Sequence, residues 1–167
     1  MPSGKTHTKI NFFTLPVLLV GLLLWGITNT SFYVLFGLGY VIGTYFITPD
    51  MDIKSDSYRK WGIFRFLWYP YMRIMPHRSF LSHTIVLGDI IRVMYLAIIM
   101  SPVLYGVNTF IMHGDLLDYL IKKQTVLFSL FVGIVAASTM HIIADVLNTN
   151  RKKMFKTKKK KKRRRIA

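Results

Sequence analysis

The sequence predicts an all-α protein: a four-helix transmembrane bundle with an amphipathic interfacial segment in its central cytoplasmic loop. Three observations carry this. Of 167 residues, 52% are hydrophobic and only 18% charged, which is too apolar for an ordinary soluble domain. Four apolar runs approach the roughly 20 residues that cross a bilayer, with almost no polar face. The basic residues between them collect on one side of such a bundle.

The first run spans residues 12–26 and the second 32–47, both slightly short. The uncharged "TNTS" between them, Thr28 to Ser31, reads as a tight turn, so the two form a helical hairpin. Lys5 and Lys9 precede the first run as in a signal peptide, but no small-x-small site follows, which favours an uncleaved helix. The third run covers residues 85–111 and the fourth 125–147. Between the second and third lie Lys54, Arg59, Lys60, Arg65, Arg73 and Arg78. The hairpin turn has no basic residue, and residues 112–124 balance Lys122 and Lys123 against Asp115 and Asp118. Four crossings with the basic loops inside place the chain in the inner (cytoplasmic) membrane, both termini cytoplasmic.

The central loop carries Trp61, Phe64, Leu67, Trp68 and Tyr71 at roughly helical spacing among basic residues. That pattern suits a helix at the headgroup level, an apolar face packed on the bundle, or both. Residues 151–165 hold twelve Lys or Arg and no acid, whereas the remainder holds eleven basic and seven acidic side chains. The chain therefore divides into a membrane-embedded domain, 1–150, and a polybasic tail, 151–167, expected to be disordered. The tail suits anionic membrane lipids; a nucleic-acid contact is the alternative.

Absence of cysteine excludes disulfides and thiolate metal sites, and absence of glutamate leaves carboxylate chemistry to seven aspartates. "ASTMHIIADVL" places His141 and Asp145 four apart on one helix face, near the cytoplasmic end of the fourth run. A hydrogen bond between them and a bridging divalent ion are both open on this pair alone. The other candidates fall at the same ends: His7 before the first run, Asp50 and Asp52 after the second, His77 and His83 before the third. A bundle gathers such ends, and helix bundles build metal sites this way. Imidazole with carboxylate suits zinc best, with manganese or iron as alternatives, and the chemistry is metal-assisted hydrolysis.

Pro49 ends the second helix and sets Asp50 at its mouth. Asp52 is a candidate base, a second ligand or a partner to a ligand histidine. His77 and His83 are six apart and cannot share a helix face; Pro76 marks His77 as the loop residue. Arg78 is placed to grip a phosphate. Asp56, Asp115, Asp118 and His113 read as ordinary loop residues. Asp89 and Arg92 read as a neutralising pair within the third helix. No other ionisable group sits deep in a run, which argues against transport.

"MPSGKTH", "PDMDIKSD", "RKWGIFRFLWYPYMRIMPHRSFLSH" and the late "HIIAD" together resemble a bacterial family of uncharacterised metal-binding membrane proteins, from Met1 to Asp145. That family is similar to the YdjM-like membrane-bound metal-dependent hydrolases, and distantly to the zinc-dependent phospholipases C and their nuclease relatives. The resemblance implies metal binding by His7, Asp50, His77 or His83, His141 and Asp145, and phosphoester hydrolysis. Without glutamate the chain lacks the second His-x-x-x-Glu pair of those phospholipases, which implies one or two ions. The expected function is a metal-dependent hydrolase acting on a phosphoester, lipid or lipid-linked, at the cytoplasmic face. The rivals are a non-catalytic metal-binding membrane protein, and a membrane anchor with a structural His/Asp cluster and a partner-binding tail.

Overall fold

All regular structure in the computed structural model is helical among the residues it describes, which are 4–76, 79 and 84–164. Helix α1 runs Gly4–Leu24, eight residues before the apolar run begins, so His7 lies inside it. Gly26 turns the chain at φ 87°, a conformation that glycine adopts without steric cost. Asn29 then caps α2 (Thr30–Tyr45), its side chain accepting from the Phe32 N–H at 3.1 Å. The hairpin expected from "TNTS" is present.

Helix α2 stops before Pro49, as a residue preceding proline is biased away from helix. A 3-10 turn, Pro49–Asp52, follows it. The central segment is three short pieces instead of one amphipathic helix: α3 (Asp56–Lys60), a 3-10 stretch Gly62–Trp68, and α4 (Tyr69–Ile74). Gly62, at φ 56°, breaks the first from the second. Its two expected faces are both present. Trp68 and Tyr71 are buried against Met51 and Met75, while Ile63, Phe64 and Phe66 are exposed. Asp56 opens α3 instead of lying in a loop; its carboxylate abuts Gly4, where a Cβ would fall 2.5 Å from Oδ2.

The third run is broken. α5 (Leu87–Ile99) and α6 (Ser101–Phe110) meet at 58°, because Pro102 enters the first turn of α6 with no N–H to continue the ladder. A short helix, α7 (Leu116–Lys122), occupies part of the next connection. His113, Asp115 and Asp118 there are exposed, but Asp118 lies in the first turn of α7 instead of in a loop, where its carboxylate suits the helix N-terminus. Helix α8 then runs Gln124–Arg164. It continues through residues where the sequence predicts disorder; no proline or glycine follows Gly133, and Lys and Arg are good helix formers. Among the described residues, three helices are long and apolar enough to cross a membrane, or four if α5 and α6 form one bent span.

α2 and α8 approach at backbone contact. A Cβ on Gly39 would fall 2.0 Å from the Leu130 carbonyl oxygen, and one on Gly133 would fall 2.2 Å from that of Phe36. Gly39 and Gly43 are four apart, the small-residue spacing that lets apolar helices close. α1 lies across this pair, with Leu15, Leu18, Leu19 and Leu22 against Phe36, Tyr40 and Ala137.

Candidate metal centre

Polar layers step along the α1–α2–α8 interface. Thr14 and Tyr40 share a hydrogen bond of 2.7 Å. One turn nearer the start of α1, Asn11 donates to Thr44 Oγ1 and to the Ala137 carbonyl, each at 3.1 Å. One buried amide thus ties three helices. His7 precedes Asn11 by four residues, and His141 follows Ala137 by four, so both imidazoles stand directly over this tie.

The His7 and His141 rings stack, with centroids 3.9 Å apart and planes 16° from parallel. Each ring meets one carboxylate: His7 Nε2 lies 3.2 Å from Asp145 Oδ1, and His141 Nε2 lies 3.3 Å from Asp50 Oδ2. His7 and His141 are each only 4% exposed, and Asp145 is 7% exposed. Ligand atoms of His7, His141 and Asp145 all lie within 4.8 Å of one another. Thus α1 and α8 deliver two imidazoles and one carboxylate to one place, and the turn after α2 sets Asp50 against His141.

The donor set fits a divalent ion. Ligand atoms around a tetrahedral ion at about 2.0–2.1 Å stand roughly 3.3–3.4 Å apart, close to both His–Asp separations. The His141 Nε2 approach to Asp50 lacks hydrogen-bond alignment: that buried nitrogen has no hydrogen bond among the described residues. A private His–Asp hydrogen bond would align; a pair of ligands aimed at a common point need not. Within α8 the expected His141–Asp145 pairing is replaced by a crossed one, in which each residue meets a partner from another element. A cleft lined by Thr8, Thr48, Asp50, Ser55 and His141 opens beside the cluster.

Asp52 is buried but stands apart from the converging ligand atoms; its charge bears on the Tyr71 hydroxyl. Burial raises the Tyr71 pKa above its usual value, while nearby Arg92 opposes that rise. His77, Arg78 and His83 lie outside the described residues. Asp89 and Arg92 are fully buried and pair at 2.5 Å, as read, and Ser138 of α8 donates to Asp89 Oδ1 at 2.6 Å. Asn11, Thr44 and Ser138 were not singled out by sequence reasoning. Their signal is a polar residue inside an apolar run, three or four positions from a candidate ligand: Asn11 from His7, Ser138 from His141.

A family model described as "Uncharacterized metal-binding protein (DUF2227)" matches residues 2–155. An uncharacterized protein of Aquifex aeolicus (strain VF5) is 37% identical over 62 residues, 36% of this chain and 43% of that protein's length. No solved structure matches.

Proposed function

This chain belongs to the DUF2227 family of uncharacterized metal-binding proteins, and on that premise we propose that it is an integral membrane protein that hydrolyses a phosphoester at the cytoplasmic face of the inner membrane. The observation that carries the reading is the convergence of buried His7, His141 and Asp145, from two helices, with Asp50 beside His141. Neutral imidazoles and carboxylates favour zinc, with manganese or iron as alternatives, in one or two ions. A bound ion there supplies a more acidic water and polarises the phosphoryl oxygen.

The chain's own residues do the remainder. His7 and His141 hold through Nε2, and their stacked rings fix each other's orientation. Asp145 and Asp50 neutralise the ion's charge. Asp52, buried two residues beyond Asp50, orients the centre or accepts a proton. Arg78 grips the phosphate, and His77 or His83 completes the ligand set. The similarity of the uncharacterised metal-binding family to YdjM-like hydrolases, and distantly to zinc-dependent phospholipases C, suggests the phosphoester class, and the basic central loop supports the cytoplasmic orientation.

Burial of the donor atoms favours a second reading, a closed centre that binds metal without turnover, since catalytic zinc keeps a ligand position open. A phosphodiester screen on protein loaded with Zn²⁺ or Mn²⁺ separates them. The hydrolase reading expects turnover that a chelator removes and the same metal restores. Metal bound at full stoichiometry with no turnover on any lipid or soluble phosphodiester establishes the closed centre instead.

A further inference from the structure

A second polar–apolar feature lies on the outer side of α1 and α8. Thr6 and Ile10 of α1 face Ala144, Leu147 and Asn148 of α8 across an open groove of about 410 Å³. Arg151 and Lys152 close its far end. No carboxylate lines it, because Asp145 turns inward to His7 on the other face of α8. Along α8 the lining passes from apolar (Ala144, Leu147) to amide (Asn148) to cationic (Arg151), seven residues or about 10 Å of helix.

We infer that this groove binds one anionic phospholipid, its phosphate against Arg151 and Lys152 and the upper part of an acyl chain over Ile10 and Leu147. The order of chemistry along α8 is the order along a phospholipid: hydrocarbon, polar ester region, phosphate. It stands where the apolar run ends and the basic stretch begins, so the helix crosses from chain depth to headgroup depth within the groove. A nucleic acid would find cations here but an apolar floor against its backbone. The inference rests on the membrane reading above, and on neither the metal centre nor turnover.

The test is native mass spectrometry of the full chain released from nanodiscs of mixed phosphatidylcholine and phosphatidylglycerol. Incorporation into the discs is scored first, so failure of the membrane reading is seen separately from failure of the groove. Wild type should retain one phosphatidylglycerol with at least tenfold preference over phosphatidylcholine. A chain neutralised from Lys158→Gln through Lys162→Gln should keep that preference, and so should His141→Ala. Arg151→Ala with Lys152→Ala should lose it. Leu147→Trp, on an exposed position, should reduce retention by filling the apolar floor. The inference is overturned if preference follows the 158–162 lysines and ignores Arg151 and Lys152. It is equally overturned if glycerol phosphate without acyl chains, or a short RNA, displaces the lipid at equal concentration.

Discussion

Two buried polar clusters share helix α8, three residues apart, and their geometries differ. At Ser138 the charges neutralise each other: Arg92 meets Asp89 Oδ1 at 2.5 Å and Ser138 donates to the same oxygen at 2.6 Å, while Asp89 Oδ2 makes no hydrogen bond among the described residues. Opposite charges cancel and the hydroxyl is satisfied. At His141 the nearest carboxylate is 3.3 Å away and unaligned, and a second imidazole is stacked on the first. Stacked imidazoles repel if both are protonated, so they need a neutral state or a cation that they can ligate. A cluster whose opposite charges neutralise one another is structural. One that sets two imidazoles and a carboxylate at ligand spacing offers a cation a site.

The largest expected effect divides the two clusters. Arg92→Leu strands the Asp89 carboxylate in an apolar interior and should cost roughly 3–5 kcal/mol, read as loss of folded protein in detergent. Replacing both residues with leucine should restore most of that stability, which would mark the pair as dispensable neutralisation. His141→Ala with Asp145→Ala should instead leave folding nearly intact and remove metal binding. If the two sets exchanged phenotypes, the assignment would be reversed.

Next in size is the tie between them. Asn11→Ala removes the amide that joins α1 to Thr44 and Ala137, and should cost about 1–3 kcal/mol. Because His7 stands one turn away, metal affinity should fall as well, though less than in the ligand variants; denaturant unfolding measures the first effect and isothermal titration the second. The smallest effect is on pH. Protons compete for imidazole, so affinity should fall as pH is lowered, by up to tenfold per unit for each histidine that must be neutral. Stability of the Asp89–Arg92 cluster should not follow that fall.

Much of the centre was legible because ligands announce themselves against an apolar background. His7, Asp50, His141 and Asp145 are conspicuous in runs with few polar residues, and topology alone gathers their ends. The crossed pairing was not legible. Spacing puts His141 and Asp145 on one face, but only the rotation of α1 and the turn after α2 decides which carboxylate meets which ring. The break between α5 and α6 was signalled by Pro102 and was read through as a single run. The central segment carried the right aromatics, yet Gly62–Trp68 winds as a 3-10 stretch, where residues four apart stand about 120° apart, so Trp68 and Phe64 end on different surfaces. Asn11 was hidden as one polar residue beside an apolar run, whose partners on α2 and α8 no local pattern names.

The most direct measurement is the metal content of detergent-purified wild type, compared with His141→Ala and with Asp89→Leu combined with Arg92→Leu. The account predicts at least one equivalent of divalent metal in wild type, its loss in His141→Ala, and its retention in the double leucine variant. Wild-type protein without stoichiometric metal, or metal that persists undiminished in His141→Ala, would contradict it.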